Sequence, residues 1–82
     1  MPVFTLNIIT PQGFFYQGEA CELIVPAVEG RMGVLAHHAE IIAALSAGDV
    51  EIRTPQEEDR LLTIQSGCLM FASNKCTLLA IV

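Results

Sequence analysis

Apolar and polar residues alternate along short stretches of this chain, and turn-forming residues break the pattern at regular intervals. In Phe4-Thr5-Leu6-Asn7-Ile8 the apolar side chains fall on every second position, so one face of an extended segment is buried and the other wet. Pro11-Gln12-Gly13 has the chemistry of a turn. Phe14-Phe15-Tyr16 reads as a short aromatic strand ending at Gly18. From Glu19 to Pro26, Cys21, Leu23 and Val25 share one side and Ala20, Glu22 and Ile24 the other. Pro26 cannot donate to a ladder, so it is expected to end the pairing or to sit at an edge. Val50, Ile52 and Thr54 alternate with Asp49, Glu51 and Arg53, as in a strand half in water. Thr54-Pro55-Gln56-Glu57-Glu58-Asp59 is the only sizeable polar stretch and reads as a solvated hairpin loop. Leu61 to Ser66 is the return strand, with Leu62 and Ile64 inward. Cys68 to Ala72 and Cys76 to Val82 form a last hairpin about Ser73-Asn74-Lys75.

One segment is ambiguous. Ala39 to Leu45 has the propensity of a helix, yet it spans only about two turns before Ser46, Gly48 and Asp49 stop it. Periodicity cannot separate a short buried helix from a buried strand. The remaining strand-like stretches recur every ~8–12 residues, the rhythm of an all-β sandwich or barrel. The expected fold is all-β: a small two-sheet β-sandwich or flattened barrel of about eight to ten short strands. A single domain over residues 1–82 accommodates it, with no repeat or linker.

Composition sharpens this picture. Of the 82 residues, 52% are apolar. A chain this short buries only about 60–65% of its unfolded surface, and a sandwich turns about half of its strand residues inward. More apolar residues are present than that interior needs, which implies an exposed patch covered by something else. The net charge is −5, with Arg31, Arg53, Arg60 and Lys75 as the fixed cations. Nucleic acid and anionic lipid both require a basic footprint, so neither is an expected partner. No apolar run approaches the ~20 residues of a membrane span. The start Met1-Pro2-Val3-Phe4 lacks a basic region followed by an apolar stretch, so no signal peptide is expected. Cys21, Cys68 and Cys76 are odd in number and show no C-x-x-C spacing, and are expected to be small apolar packers.

The run Val28-Glu29-Gly30-Arg31-Met32-Gly33-Val34-Leu35-Ala36-His37-His38-Ala39-Glu40 holds the most information. It reads as a tight loop, a short strand and a second loop carrying imidazole. It resembles the E-G-x-x-G-[VI]-x-P-G-H-A-P segment of the epsilon subunit of F-type ATP synthases. Ile9-Thr10-Pro11-Gln12-Gly13, Gly18-Glu19 with Leu23-Ile24-Val25-Pro26, Ala47-Gly48-Asp49-Val50-Glu51-Ile52-Arg53, and Ser66-Gly67 with Asn74-Lys75-Cys76-Thr77-Leu78-Leu79-Ala80 are similar to further pieces of that family in the same order. The resemblance implies that Ala39 to Leu45 is a strand. It also implies a non-catalytic rotor subunit of a proton-translocating complex, lying peripherally on the cytoplasmic or equivalent face of an energy-transducing membrane, with the bacterial inner membrane expected. The implied partners are the gamma subunit and the c-ring. Carried over residue by residue, Glu29, Gly30, Arg31 and Met32 would face the c-ring, projecting from one end of the sandwich. Thr10, His38, Ile41, Ile42 and Ala43 would lie towards gamma.

Two departures stand out. The family's Pro-Gly-His-Ala-Pro is here Ala36-His37-His38-Ala39-Glu40, which is expected to free the loop and adds a charge. Arg31 stands where the family often has an acid, and the reversed charge implies either a different c-ring contact or a changed partner loop. Family members usually continue into a two-helix domain, whereas this sequence ends at Val82, so no inhibitory switch and no ATP bound through such a domain are expected.

Catalytic chemistry has little to build on. Adjacent His37 and His38 point opposite ways on an extended chain, and with Glu40 they make an incomplete ligand set, so no metal is expected. Ser46, Ser66 and Ser73 sit in turns with no G-x-S-x-G context. Gly30 and Gly33 precede no helix, so no phosphate loop and no cofactor site is expected. A competing reading is a free-standing small β-barrel that binds an apolar ligand, with Phe14, Phe15 and Met70 lining an internal cavity.

Overall fold

A computed structural model describes residues 2–82; Met1, read above as part of a start without a signal peptide, lies outside the described residues. Nine strands follow one another: β1 (Phe4–Thr10), β2 (Gly13–Ala20), β3 (Glu22–Ala27), β4 (Gly30–Leu35), β5 (Ile41–Leu45), β6 (Gly48–Arg53), β7 (Asp59–Ile64), β8 (Ser66–Ala72) and β9 (Lys75–Ile81). The fold is all-β, and Ile41–Leu45 is a strand, as the resemblance implied. Hydrogen bonding runs continuously in the order β2-β1-β9-β8-β5-β3-β6-β7, with β4 on the other edge of β3. All neighbours are antiparallel except β1 and β9, which are parallel.

This one sheet curls into two layers. The broad layer is β2-β1-β9-β8-β5 and the narrow layer is β4-β3-β6-β7. They join through a single register pair, Ala27 with Leu45. Around it the Val28 N–H donates to the Ala44 carbonyl (3.0 Å) and the Ser46 N–H to the Pro26 carbonyl (2.7 Å). Between Leu45 and Gly48 the chain turns the corner, leaving β8 for β7 as its outer neighbour. Pro26 and Gly48 belong to this corner. Pro26 does not sit at an edge and the pairing with β4 runs on past it, Pro26 against Arg31, but on its other side the ladder with β6 stops at Ile24. In a strand the N–H and C=O of one residue point the same way, so its missing donor faces the irregular corner, where the ladder asks for none. A Cβ at Gly48 would come within 2.9 Å of the Pro26 Cβ, and the backbone there has φ +153°.

Side chains from all nine strands make one buried cluster. The period-two positions supply it: Phe4, Leu6 and Ile8 from β1, Leu23 and Val25 from β3, Val50 and Ile52 from β6, Leu78 and Ala80 from β9. Leu62 packs against it and Ile64 is within it, both inward as expected. The Phe4 and Phe71 rings meet edge to face at 5.6 Å. Other boundaries differ from the sequence reading. The aromatic strand does not end at Gly18 but runs to Ala20, and the Glu19–Pro26 stretch is split by a bend at Cys21. The Cys21 amide donates to the Arg53 carbonyl (2.9 Å), which fixes the bend against β6. Ser66 opens β8 rather than closing β7. Ser73 and Asn74 form a two-residue turn with φ values of 51° and 57°, the left-handed pair of a type I′ hairpin.

Candidate functional site

The β3–β4 hairpin turns at Val28-Glu29, and Gly30 opens β4 with φ +128°, a conformation that side chains disfavour. Glu29 and Gly30 are exposed at the tip. The two residues after them do not project with them. Strand alternation sends Arg31 onto the outer face of the narrow layer, where its guanidinium holds the Glu51 carboxylate of β6 at 2.8 Å. Met32 turns the other way and packs half-buried against the core. The expectation that Arg31 and Met32 point out of the end with Glu29 is therefore corrected. Gly33 has an ordinary φ and open space where a Cβ would sit, so nothing within the chain demands glycine there.

The loop after β4 is held rather than freed. His37 adopts φ +64°, at the position where the family pattern has glycine. Its N–H donates to Asn74 Oδ1 at 2.7 Å, and Asn74 Nδ2 donates to the Val3 carbonyl at 2.9 Å. One side chain thus ties the β8–β9 turn to the chain start and to the histidine loop. His38 is half-buried, its Nδ1–H donating to the Ala39 carbonyl at 2.8 Å, and its ring meets the Phe71 ring edge-on at 5.8 Å. Thr10 lies elsewhere. Its hydroxyl donates to the Gly13 carbonyl (3.0 Å) and accepts from the Gln12 amide (3.2 Å), closing the β1–β2 turn. By register, Thr10 is at the Leu45 end of the broad layer and three strands from β5, whereas His38 is at the Ile41 end.

What the structure does bring together is the β3–β4 hairpin and β5. A groove of about 510 Å³ is lined by Ala27 to Met32 on one side and Ile41 to Ala44 on the other. Glu29, Gly30, Arg31, Met32, Ile41, Ile42 and Ala43 all contribute to it; Thr10 and His38 do not.

The two outer faces are unlike, which the sequence pattern did not disclose. On the narrow layer Arg53 bridges Glu22 (3.0 Å) and Asp59 (3.7 Å), Arg31 pairs with Glu51, and the Thr63 hydroxyl donates to Asp49 (2.8 Å). These exposed pairs each contribute little to stability, but they satisfy one another, and Leu35 and Leu61 stand exposed among them. Across the broad layer, the register aligns Phe14, Ile9, Leu79, Cys68 and Ala44 in one row and sets Met70 beside Ile42 in the next. The first row is apolar and open, with Phe14 59% exposed, and Ile42 beside it is 77% exposed, while the row of Met70 and Ile42 continues through the polar Thr77, Asn7 and Gln17. Phe14, Phe15 and Met70 therefore lie at the surface, not around an internal cavity. Phe15 is the extra residue of a bulge opposite Ile8 and Ile9.

Among the described residues, no three His, Cys, Asp or Glu side chains converge as a metal site would need. Burial pushes the Cys76 thiol up to about 12, which makes it a packing group rather than a nucleophile.

The fold and its faces define a small curled β-sandwich whose narrow outer layer carries paired charges and whose broad outer layer carries an exposed apolar row. The chain belongs to the ATP synthase delta/epsilon chain β-sandwich domain family, whose profile matches residues 3–81. It is 38% identical over 78 residues to the ATP synthase epsilon chain of Campylobacter lari, covering 95% of this chain and 60% of that protein. It is 40% identical over 75 residues to the chloroplastic epsilon chain of Tetradesmus obliquus, covering 92% of this chain and 54% of that protein. The epsilon chain of Chlorobaculum tepidum is 37% identical over 76 residues, which are 93% of this chain and 86% of that protein. The chain thus spans little more than half the length of the first two relatives. A chain in the structure of the Euglena gracilis mitochondrial ATP synthase OSCP/F1/c-ring assembly superposes with a TM-score of 0.90 at 20% identity, covering 98% of this chain and 51% of that one; the likeness is one of fold.

Proposed function

We propose that this chain is the β-sandwich part of a central-stalk subunit of a proton-translocating F-type ATP synthase. It performs no catalytic step. It links the gamma subunit to the c-ring, so that proton flow turns the rotor as one body. The match of the epsilon-chain family over residues 3–81 carries this reading. The complex lies at the membrane without this domain entering it, on the cytoplasmic face of a bacterial inner membrane. The exposed apolar residues of the broad layer, Phe14, Leu79, Met70 and Ile42, support the gamma assignment. Ile42 stands on that face, Ile41 and Ala43 line the groove beside it, His38 flanks it, and Thr10 closes the far end of β1. Apolar area would drive docking at roughly 25 cal/mol per Å² buried, and the polar narrow layer would stay in water. The exposed tip Glu29-Gly30 supports a c-ring contact, with Arg31 and Met32 shaping it from behind.

Co-purification with gamma tests the reading. Ile42→Asp on the broad layer is expected to abolish capture. Leu61→Asp, on the outer face of the narrow layer, is expected to leave capture intact. Charge reversal at Glu29 is expected to uncouple proton flow from ATP synthesis in membranes without unfolding the domain. Equal capture of both aspartate variants would overturn the choice of face, and failure of the parent chain to bind gamma would overturn the function.

A further inference from the structure

We infer that the outer edge of β5 accepts an extended segment of a neighbouring rotor polypeptide as an added strand. β5 pairs with β8 at every residue from Ile41 to Leu45, but with β3 only at Leu45. Successive residues of a strand aim their backbone groups at opposite edges. The Ala44 carbonyl accepts from Val28 and so faces away from β8. The Ile42 N–H and C=O and the Ala44 N–H share that side, and among the described residues no strand meets them. They are open because β3 turns away at Val28-Glu29 and vacates the lane beside β5. The groove between the hairpin and Ile41–Ala44 is that vacated lane.

The chemistry of the edge specifies the occupant. Natural sheets blunt free edges with charge, proline or a bulge. The free edge of β7 carries Asp59 and Arg60, that of β4 carries Arg31, and β2 has Gln17, Glu19 and the Phe15 bulge. Ile41-Ile42-Ala43-Ala44 has none of these devices. Its unpaired amides and carbonyl call for a partner presenting alternating C=O and N–H groups at strand spacing, which only an extended polypeptide does. The lining combines apolar Met32, Ile41 and Ala43 with one acid and one base, Glu29 and Arg31, which suits a largely apolar segment of no net charge. A second copy of this chain fits poorly, because each β5 carries its own hairpin overhanging the lane. The inference rests on the rotor assignment above, since the neighbour is another rotor subunit.

Residue-resolved amide hydrogen exchange distinguishes strand addition from side-chain docking. The intact ATP synthase containing this subunit is compared with the subunit alone. The Ile42 and Ala44 amides are expected to slow at least a hundredfold on assembly, while Ile41 and Ala43, already bonded to β8, change little. Ile42→Pro removes the outward donor without touching the β8 ladder, so it is expected to fold normally and to weaken assembly at least tenfold; Ile42→Val is expected to assemble as the parent does. A subunit that stays bound while both amides exchange at the free rate overturns strand addition but leaves the rotor assignment standing. Protection of these amides in a dimer of the isolated subunit also overturns the inference, as it assigns the lane to a second copy. A subunit that enters no rotor overturns the rotor assignment, and the inference falls with it.

Discussion

Replacing Asn74 with Gly separates two jobs that this residue does at once. As a turn residue it takes φ +57°, and glycine satisfies the same type I′ geometry. As a clamp it accepts from the His37 amide at 2.7 Å and donates to the Val3 carbonyl at 2.9 Å, which glycine cannot do. Each such bond contributes a net ~0.5–1.5 kcal/mol. The His37 amide is at an exposed site where water takes over part of the loss, so the sum falls near the low end, about 1.5 kcal/mol. For a domain of this size that lowers Tm by roughly 6–12 °C. The larger consequence is positional, because His38 follows directly and its ring lies 5.8 Å from that of Phe71. Thermal unfolding gives the stability, and the His38 ring proton shifts in NMR report whether the imidazole leaves the Phe71 ring current. Asn74→Asp keeps the acceptor and loses the donor, so it is expected to retain the His38 shifts at about half the stability loss. An Asn74→Gly protein with unchanged Tm and superposable His38 signals would refute the clamp.

Gly67→Ala would place a Cβ 2.5 Å from the Leu79 carbonyl oxygen, and the backbone clash is expected to cost about 1–3 kcal/mol in a denaturation midpoint. Gly33→Ala meets open space at an ordinary φ, so it is expected to keep the isolated domain as stable as the parent or raise it by ~0.4–1 kcal/mol. Glu51→Ala releases Arg31 from its 2.8 Å partner, and stability from the urea midpoint should change by under ~1 kcal/mol, less still at high salt. The Cys76 thiol, raised from 9.0 to about 12 by burial, holds its proton longer in the folded chain than in the unfolded one. Its stabilisation is full below about pH 9 and is lost as pH climbs towards about 12, at most ~1.4 kcal/mol per unit. Urea midpoints measured from pH 8 to 10.5 should fall in the parent and fall less in Cys76→Ala.

Strand parity was legible wherever one face is buried and the other wet. Phe4, Leu6 and Ile8, or Val50 and Ile52, had to share a face, because a shift by one residue would carry charges into the interior. The excess of apolar residues announced an uncovered patch, and register across the broad layer gives it a location. Features made by distant residues were not legible. The bend at Cys21 carries no Gly or Pro and is held by Arg53. Pro26 could stay inside a strand because the corner at Gly48 falls opposite it. Arg31 is claimed by Glu51, twenty residues on, across an intervening strand. Asn74 read as a turn residue, and its second role depends on Val3 and His37 coming to the same end. Phe14, Phe15 and Met70 looked like pocket residues by type alone, yet parity and a bulge put them outside.

The parallel pairing of β1 with β9 also shapes the birth of the molecule. Thr5 to Ile9 await Lys75 to Leu79, which are synthesised long after them. Until then the nascent polypeptide carries a hairpin whose inner border is raw, and contacts of such long sequence separation close slowly. Stalled or shortened translation products ending before residue 75 should clump and call on chaperones, even though every earlier strand is already present.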